Sequence, residues 1–225
     1  KRLGSSSKNL FQKFDMCLSS SLKSKNYLKS LGAKKIRYIG NLKFSQTKKN
    51  EYLISDNIKK FLKTKKIWCA ASTHITEESI AALAHKKLKS KYKNLLTIII
   101  PRHINRTKII LDEIEKLNLK VHLHQSNKKP HKDTDIYLVD SYGKTKSFFR
   151  LCNIVFLGGS MIKHGGQNPL EPARYGCSIL HGPHVWNFSE IYSLLNKHKV
   201  SQKINGLNQL TQKIRLIFKH KKNSH

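Results

Sequence analysis

Two charged side chains and a run of glycines define the chemistry open to this chain. Arg102 is one of only seven arginines among 225 residues, and it follows the apolar run 95–100. There a planar, permanently charged donor could grip a phosphate or a base. It could equally be a surface arginine beside a helix start. Glu171 closes the string Asn168-Pro169-Leu170-Glu171, in which Asn168 suits the N-cap, Pro169 the first helical position and Glu171 the third. Glu171 is therefore either the far member of a capping box or a carboxylate that accepts hydrogen bonds from ribose hydroxyls. The stretch 158–176, GGSMIKHGGQNPLEPARYG, holds five of the eleven glycines. Glycine permits positive φ and close approach of backbone to a ligand. Free N–H groups and the dipole at a helix start favour an anion. The expected occupant is a phosphate with a sugar attached.

These residues need a frame. Apolar, strand-like runs fall at 36–39, 67–71, 95–100, 120–123, 136–139, 154–157 and 178–180. Helical patterns lie between them, at 19–31, 51–62, 76–91, 105–117, 144–151, 169–175, 188–196 and 207–218. Such alternation predicts an α/β fold, a Rossmann-like parallel sheet with helices on both faces. Five polar or glycine motifs then fall just after strands: Ser72-Thr73-His74, Pro101-Arg102-His103, Asp140-Ser141-Tyr142-Gly143, Gly158-Gly159-Ser160 and His181-Gly182-Pro183-His184. In open parallel sheets that edge binds ligands. Taken alone, several have plainer readings. Ser72-Thr73-His74 before Glu77-Glu78 resembles a capped helix start, and His181 and His184 read as loop histidines.

Charge is the extreme property of the composition. The formal net charge is +31, with 44 lysines and arginines against 13 acids. Such a field suits an anionic membrane surface or non-specific phosphate contacts, or it reflects lysines on every solvated face. The charge is dispersed and Trp68 lies in a core-type run, so a specific nucleic-acid reader is not expected. Cys17, Cys69, Cys152 and Cys177 show no paired spacing and read as reduced cysteines. The twelve histidines form no ligand motif, so no metal is expected. No apolar run approaches the roughly 18 residues of a membrane span, and no apolar region follows the basic start as in a signal peptide.

Six strings in order, GNLKF (40–44), ASTH (71–74), PRH (101–103), FLGGS (156–160), GGQNPLEPARYG (165–176) and GPHVWNF (182–188), resemble the 3-deoxy-D-manno-octulosonic acid (Kdo) transferases. The resemblance implies a two-domain GT-B glycosyltransferase that moves Kdo from CMP-Kdo to the lipid A precursor in lipopolysaccharide biosynthesis. It implies inversion at the anomeric centre and no metal or other cofactor. The expected division is residues 1–45 as the tail of an acceptor-side N-terminal domain with the linker, and 46–225 as the donor-binding domain. Carried over by motif, Pro101, Arg102, Tyr142, Gly143, Lys144, Asn168, Pro169, Leu170 and Glu171 contact CMP. Ser72, Thr73, His74, Gly159 and Ser160 are further candidate donor contacts. Lys43 matches a lysine assigned to transition-state stabilisation. Two departures stand out. Lys144 occupies a position where the family usually carries a carboxylate, and no residue matches the general base of the N-terminal domain. The expected partners are CMP-Kdo, the lipid A precursor, an anionic membrane surface and a separately encoded N-terminal half. The expected location is peripheral, on the cytoplasmic face of the bacterial inner membrane. The alternative is a nucleotide-binding remnant or fragment without turnover.

Overall fold

The computed structural model of the chain describes residues 5–40, 54–124 and 129–220. The chain divides into two compact units, Lys1–Lys49 and Asn50–His225. In the first, helix α1 (Ser5–Phe11), strand β1 (Cys17–Ser19), helix α2 (Leu22–Ser30) and strand β2 (Ile36–Tyr38) follow one another. The strands pair in parallel, with Cys17 opposite Ile36. The sequence predicts a helix from residue 19, but Ser19 ends β1. Ser21 caps α2 instead, its hydroxyl accepting from the Ser24 N–H at 3.0 Å.

The second unit is a seven-stranded, all-parallel sheet. Its elements are α3 (Asp56–Lys63), β3 (Lys66–Thr73), α4 (Glu77–Lys89), β4 (Leu95–Pro101), α5 (Thr107–Glu115), β5 (Val121–Leu123), β6 (Ile136–Leu138), α6 (Thr145–Phe149), β7 (Ile154–Leu157), α7 (Leu170–Arg174), β8 (Ser178–His181), α8 (Ser189–Lys197), β9 (Ser201–Lys203) and α9 (Leu207–His220). The strand order is β5-β6-β4-β3-β7-β8-β9. From β3 the chain builds outward first through β4 and then, returning, through β7. The order therefore reverses at the β3–β7 pair, the topological switch point where such sheets open a crevice.

Burial explains why the strands read as continuous apolar runs. Trp68 and Ala70 of β3 pack with α4, α5 and α9 on one face. Cys69 and Ala71, one residue out of phase, pack with α3, α6 and α8 on the other. A strand covered on both faces has no polar side to alternate with. Cys69, Cys152 and Cys177 are buried in this second layer as free thiols, and burial pushes the Cys69 thiol well above its ordinary value. Among the described residues no helix is long and apolar enough to cross a membrane.

Candidate functional site

The loops that follow β6, β4, β3 and β7 lie side by side, because those four strands are consecutive in the sheet. They carry Tyr142 to Lys144, Arg102, His74 and the glycine-rich stretch respectively. The sheet thus brings to one edge motifs that are about a hundred residues apart in the chain.

The β3–α4 loop is bent under strain. Ser72 and Thr76 both have positive φ, +54° and +76°, and for the β-branched Thr76 this is a costly conformation. The β3–β4 register also breaks between Ala71 and Thr73. Three clamps hold the loop. Thr73 O accepts from the Arg102 N–H at 2.9 Å. Gly158 sits so close that a Cβ there would lie 2.4 Å from Ser72 O. The third clamp is Glu77, which is fully buried. Its carboxylate accepts from four backbone N–H groups: His74 at 2.9 Å, Gly159 at 2.7 Å, Ser160 at 3.1 Å and Met161 at 2.9 Å. One carboxylate thereby ties the loop after β3 to the loop after β7. Sequence reasoning treats Glu77 as a first-turn acid of α4. The available signal was the glycine loop itself, whose consecutive buried N–H groups require an acceptor.

This changes the reading of the glycines. Gly158 is demanded by the Ser72–Thr73 backbone. At Gly165 a Cβ would meet the Asn187 side chain at 2.3 Å. The cluster is explained by close packing of the chain on itself, so no ligand against the backbone is needed to account for it. Three of the candidate donor contacts are likewise committed to the fold. Thr73 and Ser160 are fully buried. The Ser160 hydroxyl donates to Leu157 O and accepts from the Gly182 N–H, and the Gly159 N–H serves Glu77. Ser72 is half-buried and supplies the strained backbone of the loop.

Asn168 caps as expected, its side-chain oxygen accepting from the Leu170 N–H at 3.1 Å. Pro169 is already helical, and its carbonyl accepts from the Ala173 N–H. Helix α7 ends in a Schellman motif: Cys177 N–H to Pro172 O and Gly176 N–H to Ala173 O, with Gly176 at φ +71°. Glu171 does not close a capping box. Among the described residues its half-buried carboxylate accepts no hydrogen bond. Arg102 is similar: it is exposed, and its guanidinium makes no hydrogen bond or ion pair among the described residues. Arg106 is the contrast, forked onto the buried Glu78 at 3.0 and 3.4 Å. Even so, burial pushes the Glu78 carboxyl above its ordinary value. Pro101 is buried at the end of β4. In the loop after β6, Tyr142 is 63 % exposed and Gly143 has φ +78°. Lys144 lies near enough to His124 that, after burial, it is the main cause lowering that imidazole's pKa.

His74 lines this edge from below. Its ring packs 4.2 Å from His164 and 5.6 Å edge-on from His103, centroid to centroid, and its Nε2 is 3.3 Å from Gln167 Nε2. Burial, then the charges of His164, His103, Arg102 and Arg106, lower its pKa from 6.5 to about 4. His181 is different. It is buried against Tyr192, with Nδ1 on Gly182 O at 2.7 Å, so it is a packing histidine. His184 stacks edge-on with Trp186. Lys43 lies outside the described residues. Among the described residues no group of three or more His, Cys, Asp or Glu is placed to hold a metal ion.

No protein-family model matches the chain. It is 36% identical to a 3-deoxy-D-manno-octulosonic acid transferase of Haemophilus influenzae over 163 residues, 72% of this chain and 38% of that protein. It is 27% identical to one of Aquifex aeolicus over 221 residues, 96% of this chain and 57% of that protein. The chain thus spans about half or less of the length of these curated relatives. Among solved structures, it is similar to the C-terminal CMP-Kdo binding domain of WaaA from Acinetobacter baumannii. The TM-score is 0.66 at 26% identity, covering 71% of this chain and 88% of that domain. The Rossmann-like sheet is the one expected of the C-terminal domain of a GT-B glycosyltransferase. By sequence and by fold, the chain corresponds to the C-terminal portion of the 3-deoxy-D-manno-octulosonic acid transferases.

Proposed function

We propose that the second unit binds the CMP-Kdo donor for transfer of Kdo to the lipid A precursor, with the CMP moiety across the ends of β6, β4, β3 and β7. The observation that carries this reading is the pair of uncommitted charges on that edge. Among the described residues Arg102 and Glu171 have no side-chain hydrogen bond or ion pair, while the neighbouring Glu77, Glu78 and Arg106 are all engaged. A guanidinium suits the phosphate and a carboxylate suits ribose hydroxyls. Pro101, Tyr142, Gly143, Lys144, Asn168, Pro169 and Leu170 complete the cradle. Transfer itself requires a base to take the acceptor proton and a second domain to hold that hydroxyl in line. An acceptor-side N-terminal portion, in cis or as a separate chain, fills that role, with Lys43 stabilising the departing phosphate. The lysine-rich surface favours work at an anionic bilayer, peripherally on the cytoplasmic face. The donor half begins near residue 46, and no cofactor takes part.

The test is calorimetric titration of CMP into the chain and into Glu171→Gln. The chain binds CMP. The variant melts at the same temperature, because the carboxylate accepts no hydrogen bond among the described residues, and binds CMP more weakly. Equal affinities would return Glu171 to a purely local role. A second reading, nucleotide binding without turnover, draws on Lys144, a cation beside His124 where the family usually carries a carboxylate. Kdo transfer to the lipid A precursor, assayed with the N-terminal portion supplied, separates the two.

A further inference from the structure

The histidines beside the proposed CMP cradle form a cluster of their own. His74 is 8 % exposed at the floor, while His103 and His164 are exposed above it. His103 adjoins Arg102 in sequence, and Gln167, which meets His74, adjoins Asn168. The cluster is therefore the next patch of wall beyond the cradle. Gly159 leaves room for it: a Cβ there would lie 3.1 Å from the His164 ring and 3.3 Å from that of His74. The strained Ser72–Thr76 turn and the Glu77 clamp fix His74 in place. Strain kept at such cost marks a position whose exact geometry matters.

The electrostatics of the patch have one sign. Its two nearby acids are spent, Glu77 on four backbone N–H groups and Glu78 on Arg106. What remains is Arg102, the imidazoles of His103 and His164, and the Gln167 amide. Burial, and after it the charges of the surrounding basic groups, depress the His74 pKa to about 4, so the floor offers a neutral imidazole at neutral pH. Such a wall donates hydrogen bonds and favours an anion.

An ulosonic acid carries its carboxylate on the anomeric carbon, the same carbon that is esterified to the CMP phosphate. A donor held by its CMP thus presents a second anion one carbon beyond the phosphate. We infer that His74, His103, His164 and Gln167 form the pocket for the carboxylate of the donor sugar, so that this patch selects ulosonic acids over neutral sugars. This rests on the CMP reading above. A carboxylate held there is kept apart from the phosphate by hydrogen bonds of its own, which steadies the anomeric carbon for attack.

The experiment compares CMP with CMP-Kdo on the full chain and on the His103→Gln/His164→Gln variant. Both replaced side chains are exposed, so an unchanged melting temperature certifies the fold. The wild-type chain is expected to bind CMP-Kdo at least about tenfold more tightly than CMP, the scale of one charge-assisted hydrogen bond. In the variant that ratio falls to about threefold or less, with CMP affinity little changed. A ratio that survives the double substitution, or a wild-type chain that binds both ligands equally, overturns the carboxylate pocket and leaves the CMP site standing. Failure of the wild-type chain to bind either ligand overturns the CMP reading, and this inference with it.

Discussion

The two ends of the seven strands treat charge in opposite ways. At the amino-terminal end, every group of a buried polar network serves another. His85, fully buried on α4, sets Nδ1 2.9 Å from Thr97 Oγ1 and Nε2 3.3 Å from Asp135 Oδ1. Asp135 also takes the Lys89 ammonium at 2.9 Å and the Lys120 N–H at 3.0 Å. These partners, set against burial, hold its carboxyl far below the usual carboxylate range. Thr97, His85 and Asp135 are linked like a hydrolytic triad, yet Thr97 and His85 are sealed from solvent. A hydroxyl that no substrate can reach is a strut. At the carboxyl end the backbone is strained, one carboxylate gathers four N–H groups, and the Arg102 and Glu171 side chains hold nothing among the described residues. The difference teaches where to expect a cost in stability and where a cost in binding.

The largest expected effect crosses both categories. Glu77→Ala leaves four buried N–H groups without their acceptor. It should destabilise the chain by upwards of about 3 kcal/mol in denaturant titration, since a hydrogen bond to a charged group is worth about 1.5–3 kcal/mol. It should abolish CMP binding as well, because the loops after β3 and β7 lose their tie. Asp135→Ala should cost about 1.5–3 kcal/mol of stability and leave CMP affinity untouched. Arg102→Ala should do the reverse, with an unchanged melting temperature and CMP affinity lower by a factor of about ten or more. If Asp135→Ala weakened CMP binding as much as Arg102→Ala, the contrast between the two ends would fail.

A smaller effect follows from pH. In the fold the His74 pKa is lowered from 6.5 to about 4, and burial lowers those of His85, His124 and His181 as well. The groups facing His74 are Arg102, Arg106, His103, His164 and the Glu77 carboxylate. Between those two pH values the unfolded chain binds protons that the folded chain refuses. Stability is therefore full above pH 6.5 and declines toward pH 4, which melting curves across that window would register. A flat profile would mean that His74 is protonated in the fold. Added CMP should raise the His74 pKa, because a nearby anion favours the imidazolium.

Much of this was legible in the residues. The seven apolar runs became β2 to β8, and β3, β4, β6, β7 and β8 were readable because buried strands carry near-uninterrupted apolar sequence. β1 (CLS) and β9 (SQK) were missed because strands of three residues are too short to show such a pattern. Helix α1, SSSKNLF, lacks an apolar face. The Asn168 cap and the Gly176 stop were readable because each is local. Glu77 was not, because its partners at 159, 160 and 161 are more than eighty residues away and only the fold brings them near. The glycines were visible, but their cause was not: a ligand and a neighbouring backbone leave the same signature in sequence.

The placement of CMP is tested most directly by amide NMR, titrating CMP into the isotope-labelled chain and following each backbone resonance. The prediction is that the largest shifts fall on Arg102, His103, Gly143, Leu170 and Glu171, while His85, Thr97 and Asp135 stay still. Shifts gathered at the amino-terminal end, or none at about 1 mM ligand, well above the range of specific nucleotide sites, would contradict it.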